Sequence, residues 1–287
     1  MEEMQRVREE RDPLVRVRLA TTAVSRYQDA ISELGVIRRD AVEELRGQGL
    51  TLTEIAEQAG VSRARLSQVG APRPKAERGL LSTGNGVIIA VPVESAAYPG
   101  HDATRPVIHR EDAEFVHRIS VLAQSYGLTA ETEYVGQSEF IDMNRDGLIV
   151  TCGPRQSPWL EQLLTGDPNY GFGRDTTGWY LEDKSTGERH RSPQDRGETA
   201  DFGYLGVLPR PDGDGGWIYA AGIHASGSRG AAMYLQEHIK DLYEETRNSL
   251  WSCLVRCDYA PDSGDLLSAE ILAPVKRRGR LKPRKAS

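Results

Sequence analysis

The sequence predicts two domains of different class, an all-α domain followed by an α/β domain whose sheet is mostly parallel. Three observations support this division. Residues 14–69 carry apolar side chains at helical spacing. A segment with prolines and several charges then interrupts the periodicity. From residue 86 onward, short apolar runs typical of buried strands alternate with amphipathic helices.

Composition and charge restrict the class of protein. The chain has 287 residues, of which 38% are hydrophobic and 27% charged, as in ordinary globular proteins. No apolar run reaches the length of a membrane span, and the acidic start lacks signal-peptide features, so we expect a cytoplasmic protein without membrane attachment. The three cysteines have no zinc-site spacing and are expected to be reduced, and no metal or cofactor is predicted.

The net charge of −6 is unevenly distributed along the chain. Residues 1–80 carry 14 basic and 13 acidic side chains, residues 81–275 carry 15 and 29, and residues 276–287 carry seven and none. The acidic middle would repel a phosphate backbone. Contacts with nucleic acid are therefore expected from the two ends of the chain.

Two helices are predicted before residue 50, one beginning at residue 14 and one covering residues 37–48. The first carries apolar residues three and four positions apart, as in the seam of a helix that packs on another helix. We call these residues the apolar seam: Val17, Ala20, Val24, Tyr27, Ile31 and Leu34. Its partner is either the rest of the same chain or a second copy, and both alternatives stay open.

Residues 50–69 have the pattern of a helix-turn-helix. Two short helices are predicted over residues 53–59 and 62–69, because Thr51 or Thr53 can cap the first, Ser62 can cap the second, and Gly60 can form the left-handed turn between them. Apolar residues at internal positions would hold the two helices together.

These twenty residues, LTLTEIAEQAGVSRARLSQV, resemble the helix-turn-helix of sigma-factor region 4 and related bacterial transcription regulators. The resemblance covers about residues 37–69. It implies that the second helix enters the major groove of double-stranded DNA. Polar side chains that suit phosphates and base edges are the predicted DNA contacts. They are Thr51, Thr53, Ser62, Arg63, Arg65, Ser67 and Gln68.

The domain boundaries follow from these patterns. Residues 1–70 form the predicted DNA-binding domain, and residues 71–85 form a linker with two prolines. Residues 86–275 form the predicted α/β sensor domain. It begins with a buried strand at residues 87–93, a helix at 111–126, and further strands at 132–135 and 147–152, which together predict a Rossmann-like parallel sheet.

Two strand-to-helix turns are predicted at the carboxyl edge of this sheet, one after residue 152 and one after residue 221. Free backbone N–H groups at such turns bind anions. We therefore expect this edge to bind a small anionic ligand such as a nucleotide. The predicted ligand-binding residues are Gly153, Arg155, Gln156, Ser157, Gly222, His224, Ser226, Gly227, Ser228 and Arg229. The second turn lacks the G-x-G-x-x-G pattern and the P-loop lysine, and the alternative is that its glycines serve packing alone.

The last twelve residues, 276–287, are predicted to be a disordered basic tail. Their Arg-Gly-Arg core resembles an AT-hook, which lies in the DNA minor groove, although Leu281 stands where that motif has proline. Arg277, Arg278 and Arg280 are therefore predicted to contact DNA.

The favoured function is a sequence-specific, DNA-binding transcription regulator whose α/β domain senses a small anionic ligand or mediates oligomerisation. A homodimer is favoured, because one such module makes few base contacts. One alternative is a nucleotide- or NAD-processing enzyme tethered to DNA, with His224, Glu94 or Asp201 as acid or base. Another is an adaptor that binds a partner protein through its acidic domain.

Overall fold

The computed structural model describes residues 2–63, 75–97, 104–136, 139–151, 153, 164, 166–247 and 249–281. The chain divides into two compact units, residues 1–75 and residues 76–287. Among the described helices, none combines the length and the apolar character that a membrane crossing requires.

The described elements of the first unit are helices: α1 (Glu2–Glu9), α2 (Pro13–Gly47) and α3 (Leu52–Gln58). The 35-residue α2 covers both helices that the sequence predicted before residue 50, so the predicted break near Gly35 is wrong. A glycine inside a helix costs only about 1 kcal/mol and does not interrupt one of this length. Asp12 caps α2 by accepting a hydrogen bond from the backbone of Leu14 at 2.8 Å.

Helix α3 begins and ends by the signals that the sequence contains. Thr51 and Glu54 form a capping box: the backbone N–H of Glu54 donates to Thr51 Oγ1 at 3.3 Å, and that of Thr51 donates to Glu54 Oε2 at 2.8 Å. Gly60 has a φ of 66° in the turn that follows. Ile55 and Ala56 are buried in a small core with the carboxyl-terminal end of α2.

The second unit is mixed α/β. Its helices are α4 (Arg78–Leu81), α5 (Arg110–Ser125), a 3-10 turn (Pro193–Arg196) and α6 (Ala225–Thr246). Its strands are β1 (Gly86–Ala97), β2 (Thr104–Val107), β3 (Thr129–Gly136), β4 (Leu148–Val150), β5 (Tyr170–Asp175), β6 (Gly178–Asp183), β7 (Glu188–His190), β8 (Ala200–Pro209), β9 (Gly216–Gly222), β10 (Ser249–Tyr259) and β11 (Leu266–Arg280).

The main sheet has the order β11-β10-β8-β9-β4-β1, with β3 and β2 both paired to β1. The neighbours β3, β1, β4 and β9 pair in parallel, whereas β9–β8, β8–β10, β10–β11 and β1–β2 pair antiparallel. The prediction of a mostly parallel sheet is therefore wrong. The connections β8–β9 and β10–β11 are too short for a crossover, and a short connection joins antiparallel neighbours.

Both faces of this sheet are covered. On one face, α5 and α6 pack through side chains such as Phe115 and Leu235 onto inward-facing strand residues such as Ile149. On the other face lies a small antiparallel sheet of order β5-β6-β7, whose Tyr170 and Leu181 belong to the core on that side. Double coverage explains why the strands have continuous apolar runs instead of alternating ones.

Strand β11 corrects the prediction of a disordered tail beginning at residue 276, because it continues to Arg280 and pairs with β10. The Nζ of Lys276 donates to both carboxylate oxygens of Asp183, at 2.7 and 2.6 Å. Arg278 donates to the carbonyl oxygen of Gly166 and lies 3.6 Å from the carboxylate of the buried Asp167. Composition reveals the basic charges but not the buried carboxylates that neutralise them.

We predict that Lys276→Ala lowers the free energy of unfolding by about 2–4 kcal/mol, because it leaves the buried Asp183 carboxylate without its counter-charge. Burial acts to raise the pKa of Asp183, but hydrogen bonds from Lys276 and Ser185 outweigh it and lower the pKa to about 2. Since the folded-state pKa is depressed, this stabilisation is present above about pH 4 and is lost as the pH falls towards 2. Urea unfolding at pH 7 and pH 3 measures both effects.

Arg277→Ala is the matched control for this experiment. Arg277 is the exposed neighbour of Lys276, and among the described residues its guanidinium donates to the carbonyl oxygen of Glu245 at 3.1 Å. Its removal should change the free energy of unfolding by no more than about 0.5 kcal/mol. Equal effects of the two substitutions would contradict the role given to the Lys276–Asp183 pair.

Candidate functional site

The predicted DNA contacts that fall within the described residues lie on and after α3. Thr51, Thr53, Ser62 and Arg63 are exposed, and Arg63 is in helical conformation directly after the turn. The hydroxyl of Thr51 is already engaged with Glu54 Oε2, at 2.7 Å, which limits its availability for phosphate. The predicted contacts Arg65, Ser67 and Gln68 lie outside the described residues.

The predicted contacts of the carboxyl-terminal end have other surroundings. Arg277 is exposed on β11, whereas the side chain of Arg278 is directed to Gly166 and Asp167 within the second unit. Arg280 ends the strand and pairs through its backbone with Ser249. Residues 282–287 lie outside the described residues. Arg278 is thus committed to internal contacts and is a poor candidate for binding DNA.

The apolar seam of α2 is largely exposed. Val17 and Leu34 are both 63% exposed and Val24 is 54% exposed, while Tyr27 also has considerable exposure. Within the first unit, as far as the structure describes it, these four side chains are therefore not buried. Exposed apolar groups aligned on one face of a long helix are typical of a surface that binds another molecule.

The two predicted ligand turns follow neighbouring strands. Val150 of β4 lies opposite Tyr219 of β9 in a parallel pair, so Gly153, which follows β4, and Gly222, which ends β9, lie at the same edge of the sheet. This placement agrees with the prediction. Arg155, Gln156 and Ser157, which belong to the first turn, lie outside the described residues.

At the second turn, a carboxylate of the chain itself occupies the first turn of α6. Asp201 is fully buried, and its Oδ2 accepts hydrogen bonds from the backbone N–H groups of His224 at 3.0 Å and Gly227 at 2.7 Å. Its Oδ1 accepts from the hydroxyl of Ser192 at 2.6 Å. Burial raises the pKa of Asp201, and the hydrogen bond from Ser192 acts in the opposite direction. The donors that we assigned to a ligand thus serve Asp201.

The glycines of this turn allow close packing. A Cβ on Gly222 would overlap with the carbonyl oxygen of His224, and one on Gly227 would overlap with that of Phe202. A Cβ on Gly230 would overlap with Cys257 of β10. These positions bring the start of α6 against the sheet, which supports the alternative in which the glycines serve packing.

The predicted ligand-binding side chains at this turn also have partners in the chain. Ser228 Oγ accepts from the backbone of Gly222 at 2.8 Å. Arg229 is 4% exposed and donates to Glu114, to the carbonyl oxygen of Gly264 at 2.9 Å and, weakly, to Ser226 Oγ at 3.4 Å. An additional anion at this turn would have to displace existing contacts.

His224 pairs with a residue that the sequence did not single out for it, Asp195, with 2.8 Å between Nε2 and Oδ1. Glu94, another predicted acid or base, lies at the end of β1, with its Oε2 3.2 Å from Nε2 of His109. Asp201 holds the backbone of His224. The structure thus gives the three predicted acid or base residues three different sets of contacts.

Two further polar groups near this edge escaped the sequence prediction. Asp112 in α5 is 4% exposed, and its Oδ2 lacks a hydrogen-bond partner among the described residues. The same holds for Oγ1 of Thr151, which directly follows β4. Asp112 could have been found from the sequence, because it lies three positions before Phe115 on the inward face of the helix.

Comparison of the chain with models of known families, with curated proteins and with solved structures found no match. Within the described part of the chain, no group of three or more His, Cys, Asp or Glu side chains is arranged to hold a metal ion. Cys253 and Cys257 are free and buried, and Cys152 lies outside the described residues.

We predict that Asp112→Asn increases stability more at pH 8 than at pH 4. Burial raises the pKa of Asp112 to about 6, with His109 lowering it and Glu111 and Glu94 raising it. The folded state therefore holds this proton more tightly than the unfolded state, and its ionisation reduces stability as the pH rises from about 4 to 6. Asparagine removes this penalty.

The size of the effect is about 1–3 kcal/mol between the two pH values. Denaturant unfolding of the two proteins at pH 4 and pH 8 measures it. Glu111→Gln, one position away on the same helix, is the matched control and should give a smaller pH-dependent difference. A constant difference between Asp112→Asn and the unmodified protein would contradict the raised pKa.

Proposed function

We propose that this protein is a sequence-specific DNA-binding transcription regulator, in which residues 50–69 form a helix-turn-helix and the second unit is a sensor. The observation that carries the proposal is the geometry at α3. A capped helix is followed by a left-handed turn at Gly60, and helical conformation resumes at Arg63. This is the order of elements in a helix-turn-helix.

Burial supports the same function. Ile55 and Ala56 face the core shared with α2, while Thr53, Ser62 and Arg63 face solvent. An arginine at the start of a recognition helix can donate two hydrogen bonds to guanine, and hydroxyl groups can donate to phosphate. The exposed face thus has the chemistry of a DNA contact.

The exposed seam of α2 supports a homodimer. Val17 and Val24 are seven residues apart, as are Tyr27 and Leu34, and the first pair occupies a positions and the second pair d positions of one heptad repeat. A second copy of the same helix has the complementary surface. Parallel pairing would place two helix-turn-helix units at the same end of the dimer, as binding to two half-sites requires.

In the second unit, the strands β3, β1, β4 and β9 provide the parallel core of the proposed Rossmann-like sensor. The observation that favours the enzyme alternative is the pair of His224 and Asp195. Histidine paired with a carboxylate is typical of general base catalysis, but it equally stabilises a turn. Because Asp201 already accepts from the backbone donors of this helix terminus, the pair of His224 and Asp195 has no adjacent anion site for a substrate among the described residues. The enzyme therefore remains the second candidate.

We predict that Arg63→Ala weakens specific DNA binding by about 1–3 kcal/mol and relaxes the base preference, because it removes a donor to a base edge. DNA selected by the full-length protein from a random-sequence pool provides the binding site, and fluorescence anisotropy measures the affinity. Arg256→Ala, which removes a half-buried arginine of β10 that pairs with Asp258, is the control for lost charge.

The control should leave the affinity within twofold of that of the unmodified protein. Failure to enrich any sequence from the pool would contradict the proposed function. Equal losses for Arg63→Ala and Arg256→Ala would contradict the role of Arg63 in reading bases.

We predict that Leu34→Cys forms a disulfide-linked dimer under mild oxidation, because the same position of two parallel helices faces itself across a heptad seam. Leu34 lies towards one end of the seam, so an antiparallel pair would separate the two thiols. Non-reducing electrophoresis measures the cross-link. Arg18→Cys, on an exposed position outside the seam, should cross-link far less, and similar yields for both variants would contradict a parallel seam.

A further inference from the structure

A cavity of about 460 Å³ opens at the amino edge of the main sheet, opposite to the edge at which the sequence predicted a ligand. It lies among the end of α4, the starts of β4 and β9, the β8–β9 loop and the end of α6. Its volume is within the range of small-molecule binding sites. All of these elements belong to the second unit.

One wall of the cavity is apolar and includes an aromatic ring. Half-buried Leu80, Tyr243 and Leu281 line the cavity together with Leu148, Val207, Trp217 and Ile218, which are at most 5% exposed. Trp217 donates its indole N–H to the carbonyl oxygen of Pro209 at 3.2 Å, so its polar atom is satisfied within the chain. This wall suits the flat, apolar part of a ligand.

Arg247 contributes a guanidinium group to the lining and has an unusual backbone. Its φ of 32° makes it the single non-glycine residue with positive φ in the described part of the chain. It caps the end of α6, a position where glycine or asparagine normally avoids the strain. The helix dipole does not explain this position, because an arginine one turn earlier in α6 would interact with the dipole equally well and would have an unstrained helical backbone. The strained position is explained if the side chain is needed at the cavity.

Arg210 contributes a second guanidinium group in a fixed orientation. Its side chain is 7% exposed, and its Nε and Nη2 donate to Asp212 at 3.2 and 2.9 Å. The carboxylate of Asp146, also in the lining, accepts hydrogen bonds from Ser82, Thr83 and the backbone of Gly84. Arg210 and Asp146 thus have partners within the chain, and Asp214 adds a half-buried carboxylate to the lining. Arg247 is an exposed cation beside the apolar wall, and its Nε donates weakly to the carbonyl oxygen of Glu244 at 3.4 Å.

We infer that this cavity binds a small aromatic anion, with Arg247 contacting the anionic group and the half-buried side chains of Leu80, Tyr243 and Leu281 contacting the ring. A ring alone would leave the charge of Arg247 without a ligand partner, and an inorganic anion alone would leave the half-buried side chains of Leu80 and Leu281 partly exposed to water. The inference rests on the proposed function in one respect: the proposed function makes the second unit a sensor, and the inference names the class of ligand that this sensor binds.

The position of the cavity suits a sensor. Helix α4 is the first described helix of the second unit, and Leu281 follows its last strand, and both line the cavity. A ligand in the cavity therefore contacts the segments by which the chain enters the second unit and leaves β11. Binding energy at this place acts on α4, which lies within the predicted linker of residues 71–85.

Isothermal titration calorimetry of the full-length protein, in the absence of DNA, tests the inference with three probes. These are 1-naphthyl phosphate, 1-naphthol and inorganic phosphate. We expect 1-naphthyl phosphate to bind at least tenfold more tightly than either of the others, because it alone engages both the wall and Arg247. Equal affinity for 1-naphthyl phosphate and 1-naphthol, or no binding of 1-naphthyl phosphate, would overturn the inference.

Arg247→Gly separates a ligand contact from a structural role. Glycine fits the left-handed backbone, so the melting temperature should stay the same or rise, whereas the affinity for 1-naphthyl phosphate should fall at least tenfold. Arg247→Asn, which also tolerates this backbone, repeats the test if the glycine variant is unstable. Arg196→Gln, at an exposed arginine outside the cavity, should leave the affinity unchanged.

Unchanged affinity in both Arg247 variants would overturn the inference. Because this assay contains no DNA, its failure leaves the proposed DNA-binding function standing. Conversely, a protein that binds 1-naphthyl phosphate through Arg247 but selects no DNA sequence would retain the ligand site and lose the proposed function.

Discussion

The second unit depends on the close approach of α6 to the main sheet, and the buried carboxylate of Asp201 fixes that approach. Asp201 lies on β8 and accepts hydrogen bonds from Ser192 and from two backbone N–H groups at the start of α6. A buried carboxylate without these donors would be costly, and the helix terminus would have unsatisfied donors. The carboxylate of Asp201 and the N–H groups at the start of α6 therefore satisfy each other, and the adjacent glycines allow the helix to approach the sheet closely enough for these hydrogen bonds.

This arrangement changes the reasoning about ligands. A glycine-rich turn after a buried strand predicts an anion site, but the anion can be part of the protein. A ligand site is then better sought where the packing leaves a cavity and where a residue beside it has a strained backbone conformation. The amino-edge cavity has both, since Arg247 retains a left-handed backbone beside an apolar wall.

Local features were predictable from the sequence, and distant contacts were not. The cap at Thr51, which was one of two candidates, the turn at Gly60 and the helix beginning near Arg110 each depend on residues close together in the chain, and each was predicted within a few residues. The antiparallel half of the sheet depends on how β8, β10 and β11 pair. The ordered start of the basic tail depends on Asp183, 93 residues before Lys276 in the chain. Neither the antiparallel partner strands nor a distant carboxylate such as that of Asp183 can be recognised from periodicity or composition.

The continuity of α2 joins the seam to the proposed helix-turn-helix, because the same helix contributes to the core around Ile55. Burying the four exposed seam side chains of each copy would yield on the order of 10 kcal/mol, since each is already partly covered. The cost of association is of similar size, about 4–15 kcal/mol. The seam alone therefore supports a dimer of modest affinity. Two half-sites on one DNA would supply the additional contacts, so dimer formation and DNA binding would stabilise each other.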